Sequence, residues 1–161
     1  MIPLARPAAA LALALLTACA NEPTQVTDIH TGITAGVSAR HSVFNNLLVN
    51  VTGQAFIAQK GKEVRQGIYV DQVSTATGWS FFHSAYSFGT QLPYERGASN
   101  VLSCASLGCT VQEQGAVILT PAQFDKARST GMELLLQGSG NRVVIQVPAE
   151  AFEEAHSQRP G

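Results

Sequence analysis

Four histidines and three cysteines are the residues best able to do chemistry in this chain, and their spacing excludes several kinds of site. The histidines are His30, His41, His83 and His156. Two metal ligands on one strand or helix would lie two or four residues apart, and no two histidines have that spacing. Cys104 and Cys109 have four residues between them, whereas a redox pair is Cys-x-x-Cys and a zinc site needs two further ligands nearby. We therefore predict no metal, cofactor or redox centre.

An alternative interpretation is that His83 is a catalytic or ligand-binding residue. It interrupts an aromatic segment, residues 79–88, and we expect Asp71 on a neighbouring strand. The simpler interpretation is a histidine that is hydrogen-bonded or faces an edge. The chain lacks the Gly-x-Ser-x-Gly and Ser-x-x-Lys motifs of serine hydrolases, and the adjacent Glu153 and Glu154 face different directions on a helix, where we expect both to be solvated. These features favour a protein that is not an enzyme.

The N-terminal segment resembles a bacterial lipoprotein signal. Arg6 supplies a positive charge, residues 8–16 are all alanine or leucine, and Leu16-Thr17-Ala18-Cys19 follows. These are the parts of a secretory signal, and in the lipoprotein type a leucine and two small residues precede the cysteine. The resemblance implies a signal peptide over residues 1–18, cleavage before Cys19 and attachment of diacylglycerol and palmitate-type chains to Cys19. The alternative is an ordinary signal peptide cut elsewhere, with Cys19 incidental.

The same resemblance implies a location. Lipoproteins with aspartate after the cysteine tend to stay in the inner membrane, and here Ala20 follows. We expect the outer membrane, on its periplasmic face, with display on the cell surface as the alternative. Two or more acyl chains hold a protein stably in a bilayer, whereas the apolar segment is too short to span one, which takes about 20 residues.

Composition indicates one domain of ordinary size without a charged partner. The 161 residues carry 10 Lys and Arg against 11 Asp and Glu, and no block of like charges occurs. Such a balance argues against a nucleic-acid partner. We predict a flexible lipidated tether over residues 19–27, a single β-rich domain over residues 28–157 and a short tail over residues 158–161.

Cys104 and Cys109 are the pair that remains once Cys19 is assigned to lipid. The periplasm is oxidising, and Gly108 permits the tight backbone that a small loop requires. We predict a disulfide between them that clamps a local turn.

Alternating apolar residues predict several strands. The alternation covers residues 47–57, a Lys-Gly-Lys turn follows at residues 60–62, and the pattern resumes over residues 67–73, which indicates a hairpin. A second hairpin is predicted from residues 132–136 and 143–147, with a Gly-Ser-Gly-Asn turn between them. Many short strands with such turns are typical of an antiparallel β-sandwich or small barrel, so the predicted fold class is mainly β.

One or two short helices are predicted near the C-terminus. Thr120 and Gln123 form a capping box, Pro121 suits the first helical position, and Gly131 supplies the stop, which places a helix over residues 121–129. A last helix follows Pro148. Its expected buried side is Ala151, Phe152 and Ala155.

The aromatic segment predicts a central strand. It holds Trp79, Phe81, Phe82, Tyr86 and Phe88. Large rings on both faces of one strand indicate that both faces are covered, and an aromatic platform for a ligand is the alternative. Residues 89–100 are predicted as an exposed connection.

Residues 104–155 resemble the C-terminal half of the invasion-associated locus B family of small bacterial envelope proteins. The shared features are Cys104, the Gly108-Cys109 pair, the capped helix that ends at Gly131, the last hairpin and the closing Phe152. The resemblance implies a secreted β-rich protein that is not an enzyme. Our leading hypothesis is a non-catalytic module that binds envelope or host proteins. An inhibitor of a hydrolase, with residues 89–109 as the presented loop, is a further alternative.

Overall fold

The computed structural model describes residues 21–161, which form two antiparallel β-sheets and two α-helices. The signal segment and Cys19 lie outside the described residues. In chain order the elements are β1 Thr24–Asp28, β2 Ile33–Val37, β3 His41–Asn45, β4 Val49–Lys60, β5 Glu63–Thr75, β6 Phe82–Ser87, β7 Thr90–Leu92, β8 Tyr94–Ala105, β9 Gly108–Leu119, α1 Pro121–Thr130, β10 Met132–Gly138, β11 Arg142–Val147 and α2 Ala149–Ser157. Neither described helix is long and apolar enough to cross a membrane.

The larger sheet has seven strands and the smaller has four. The larger follows the order β1-β2-β4-β5-β9-β8, with β3 paired to the first half of β4. The smaller follows the order β11-β10-β6-β7. All pairs are antiparallel, so the predicted mainly β fold of antiparallel sheets is confirmed.

The first predicted hairpin is confirmed and is longer than expected. β4 and β5 pair continuously from Val49 opposite Ser74 to Lys60 opposite Glu63. Gly61 takes a positive φ of 60° at the turn, which glycine does without steric cost. Leu47 was predicted to lie in this strand, but it precedes β4 and is 96% exposed.

A single core joins the two sheets and both helices. Ile68 and Val70 of the larger sheet, Leu134 of the smaller sheet, and Phe124 and Phe152 of the helices are all buried in one cluster. A second, smaller apolar cluster lies on the other face of the larger sheet. Its buried members are Ile33, Ala35, Val37, Phe56, Ala58 and Tyr69.

The helices follow their predicted signals. The Thr120 hydroxyl accepts from the Gln123 amide and the Gln123 side chain accepts from the Thr120 amide, which confirms the capping box. Gly131 ends α1 at a φ of 69°. The rings of Phe124 and Phe152 meet edge to face at 5.3 Å between centroids, and the predicted buried side of α2 is confirmed.

Both ends of the predicted domain are wrong by a few residues. β1 begins at Thr24 because residues 24–28 pair with β2, so the predicted tether of residues 19–27 loses its second half to a strand. At the other end, the Gln25 side-chain amide donates to the Gln158 carbonyl at 3.3 Å, and Pro160 is buried. The predicted tail is therefore packed on the domain.

The predicted connection over residues 89–100 is wrong, since most of it belongs to β7 and β8. Its Pro, Gly and polar residues read as a loop, yet β8 is an edge strand whose outer side faces solvent and accepts such residues.

The aromatic segment is partly as predicted. β6 lies between β10 and β7, as an inner strand should. Phe82 is buried, but Phe81 and Phe88 are exposed and have positive φ angles of 51° and 47°. They lie just outside the strand, where the chain turns, so the core covers one face of the segment and not both.

Candidate functional site: an uncharged apolar tip

His83 and Asp71 do not come together. His83 is exposed on β6, and the neighbours of β6 are β10 and β7, so the predicted adjacency to the strand of Asp71 is wrong. Asp71 is buried on β5, where the Gln112 side-chain amide donates to both carboxylate oxygens at 2.9 Å and Arg40 lies 4.0 Å away. Within residues 21–161 the His83 side chain forms no hydrogen bond or ion pair with an acidic side chain.

Glu154 was predicted to be solvated, but its carboxylate forms contacts within the fold. Its carboxylate accepts a hydrogen bond from the Ala39 backbone amide at 3.0 Å and lies 3.1 Å from His41 Nε2. This contact ties α2 to the chain before β3. The sequence separation of 113 residues between His41 and Glu154 left no local signal for it.

Two concave sites lined by the described residues are small. A depression beside Phe88 and the end of α1 encloses about 200 Å³, and one beside Phe81 and Arg96 encloses about 60 Å³. Small-molecule sites usually enclose about 300 to 1,000 Å³. No group of three or more metal-binding side chains occurs in the described part of the chain.

Cys104 and Cys109 close the end of the β8–β9 hairpin. They face each other across the two strands, and their Sγ atoms lie 2.02 Å apart, at bonding distance. Gly108 has a φ of 125° in the turn between them, and a Cβ there would lie 3.2 Å from Ala76. The predicted pairing is therefore present, and it clamps the hairpin next to the loop after β5.

Five exposed apolar side chains gather at this end of the larger sheet, and we call them the apolar tip. They are Leu47, Leu48, Val101, Leu102 and Leu107, with exposed fractions from 43% to 96%.

Backbone contacts join the three segments that carry the tip. The Thr75 amide donates to the Leu48 carbonyl at 2.8 Å, which ties the turn before β4 to the end of β5. The Ala76 amide donates to the Cys109 carbonyl at 3.2 Å, which ties the end of β5 to the clamped hairpin. Three stretches far apart in sequence thus form one end of the sandwich.

The apolar tip carries no charge. Residues 41–59, 72–94 and 97–112 contain no Asp, Glu, Lys or Arg, and they include the three segments that carry the tip. The opposite end of the sheet, at the β4–β5 turn, carries Lys60, Lys62 and Glu63. The two ends of the molecule therefore differ sharply in polarity.

A buried carboxylate holds the loop behind the tip. Glu113 accepts hydrogen bonds from the Ser80 amide at 2.6 Å and the Phe81 amide at 2.7 Å. The Gln72 side-chain amide donates to the hydroxyls of Ser74 and Ser80, both at 2.7 Å.

Tyr94 packs against the same region. Burial raises the pKa of the Tyr94 hydroxyl, and the charge of Glu113 raises this pKa further. Tyr94 is therefore neutral in the depression that it lines together with Phe81 and Glu113.

The sequence contained a signal for the apolar tip that residue-by-residue reasoning missed. The three uncharged stretches can be read directly, and Leu107 is an apolar residue inside a small disulfide loop. What the sequence does not show is that these stretches meet, because that depends on the pairing of β9 with β5.

Comparison with known proteins found no matching family model, no matching curated protein and no matching solved structure. The resemblance of residues 104–155 to the invasion-associated locus B family therefore stays a prediction.

Proposed function

We propose that this protein is a lipid-anchored protein of the bacterial envelope, attached through Cys19 to the periplasmic face of the outer membrane, and that it acts as a non-catalytic binding module. One observation carries the anchor: Leu16-Thr17-Ala18-Cys19 closes an apolar segment and stands directly before the fold. β1 starts at Thr24, so a lipid on Cys19 holds the sandwich close to the bilayer.

The binding role is supported by the surface of the described residues. Two depressions enclose about 200 and 60 Å³, whereas five of the exposed large apolar residues lie together at one end. Contiguous exposed apolar residues mark sites of contact with other molecules. The hydrolase-inhibitor alternative draws on the same clamped hairpin, which presents Leu107 at its end.

Replacement of the anchoring thiol tests the proposal. We expect Cys19→Ser, expressed as the full chain in a Gram-negative host, to leave the membrane fraction. The double variant Cys104→Ser with Cys109→Ser should remain in the membrane fraction, because neither thiol carries lipid. The intact mass of the wild-type protein should show the loss of residues 1–18 and the gain of acyl chains. Membrane association of Cys19→Ser equal to wild type, or a free Cys19 thiol, would contradict the anchor.

A further inference from the structure

We propose that the apolar tip lies in the surface of the bilayer that holds Cys19. The protein then contacts its membrane at two places, through the lipid on Cys19 and through the apolar side chains of the tip. This inference rests on the proposed lipid anchor. It adds a contact made by the folded domain and fixes which end of the sandwich faces the membrane.

The direction of β1 brings the anchor to the same end as the tip. Thr24 pairs with Val37, which pairs with Phe56 of β4. β1 and β4 each run antiparallel to β2, so they run in the same direction. The N-terminal end of β1 therefore points toward Val49, where β4 begins beside the tip.

The chain before β1 is too short to hold the tip away from the lipid. Cys19 lies five positions before Thr24, and the chain from one to the other spans at most about 17 Å when extended. Phe56 lies seven positions after Val49 in β4, which is a rise of about 23 Å along the strand. Measured along the strand direction from Thr24, Cys19 thus lies no further out than the tip. When the strands stand perpendicular to the bilayer, the tip therefore lies in the bilayer surface.

The chemistry of the tip fits a lipid surface. Leucine and valine side chains at turns can enter the boundary between headgroups and acyl chains without burying a charge, and the charge-free segments around them avoid that cost. The exposed apolar residues at the other end are different. Ile29 lies between Asp28 and His30, and Val64 lies between Glu63 and Arg65.

The tip is held in shape before it meets the lipid. The Cys104–Cys109 pair closes the hairpin, and the Leu48, Thr75, Ala76 and Cys109 backbone groups are already hydrogen bonded. Little conformational freedom is left to lose on contact, which favours binding by a small apolar surface.

Fluorophores at single introduced thiols test this placement. The lipidated protein offers no other free thiol, because Cys19 carries lipid and Cys104 pairs with Cys109. The variants Leu47→Cys and Leu107→Cys place the label at the tip, and Ile29→Cys and Val64→Cys are matched controls at the opposite end. Each protein is purified from membranes, labelled with an environment-sensitive dye and reconstituted into vesicles of phosphatidylethanolamine and phosphatidylglycerol, with or without nitroxide-labelled acyl chains.

We expect the tip labels to shift their emission to shorter wavelength and to lose most of it to the nitroxide lipid, while the control labels keep the emission of a water-exposed dye. The result should be the same at high salt and in phosphatidylcholine vesicles, because the tip is uncharged. Tip labels that stay as exposed as the controls would overturn the inference. Tip labels that are shielded from water but not quenched by lipid would also overturn it, in favour of a protein at this surface.

The intact mass of each sample separates the two proposals. If Cys19 carries acyl chains but the tip is exposed to water, the proposed second contact is wrong and the proposed anchor stands. A protein without acyl chains loses the anchor, and the inference about the tip fails with it because its argument starts from Cys19.

Discussion

Glu113 is the residue on which the arrangement behind the apolar tip depends most. It is 7% exposed, and its carboxylate takes both the Ser80 and the Phe81 amide hydrogens. Each of these two amide donors would be costly to leave without a partner. One side chain therefore fixes the path of the chain as it crosses from the larger sheet to the smaller.

Replacement of Glu113 by alanine should lower the free energy of unfolding by about 2 to 4 kcal/mol, because the buried Ser80 amide and the part-buried Phe81 amide lose their acceptor. Glu113→Gln should cost less, since its amide oxygen still accepts one hydrogen bond. Urea denaturation of both variants measures the change, with the exposed Glu150→Gln as the control. A loss for Glu113→Ala no greater than that of the control would contradict this role.

At the scale of elements, the β8–β9 hairpin divides into an anchored part and a projecting part. Near Tyr94 the hairpin is partly buried and β9 pairs with β5, whereas residues 99–108 are all exposed. The disulfide lies in the projecting part, where few other contacts hold the two strands together. Its effect is therefore local, in a segment that can open without exposing the core.

Removal of the disulfide by Cys104→Ser with Cys109→Ser should speed amide hydrogen exchange at residues 101–109 and leave exchange in β4 and β5 unchanged. A closed loop this short contributes about 2 kcal/mol in the chain-entropy estimate, and we expect less than this in global stability because the tip opens first. Hydrogen exchange read by mass spectrometry distinguishes the regions, and Ser103→Ala serves as the control. Faster exchange throughout the larger sheet would show that the clamp supports the whole fold.

Elements with a local signal could be predicted from the sequence, and those set by distant contacts could not. The Thr120 capping box and the Gly61 turn are formed by neighbours in sequence, and both are present as predicted. β8 was read as a loop because its strand character comes from pairing with β9. The apolar tip was missed for the same reason, since Leu47 and Leu107 become neighbours only through the order of strands.

The whole molecule is held by one core to which every layer contributes. Phe124 and Phe152 bring the two helices together, and their cluster continues into both sheets. If either helix left this cluster, both sheets would lose packing contacts at once. Unfolding should therefore be a single cooperative transition, as in most domains of this size.

Substitution of Phe152 by alanine should destabilise the protein by about 3 to 5 kcal/mol, since the ring is fully buried and leaves a cavity. The matched variant Phe88→Ala should change stability by about 0.5 kcal/mol or less, because that ring is 86% exposed. Thermal and urea unfolding of the two variants provides the comparison. Equal effects of the two substitutions would contradict the arrangement of the core.

The irregular pairing of β8 with β9 limits how copies of this chain can associate. β8 is an edge of the larger sheet, and its register with β9 shifts between Arg96 and Ser99 and again between Val101 and Ser103. An uninterrupted edge would offer a row of free amides and carbonyls to the same edge of a neighbouring copy. The two shifts break that row into short pieces that no second strand can match along its length. Copies of this chain that meet edge to edge can thus stay separate and not join into fibrils.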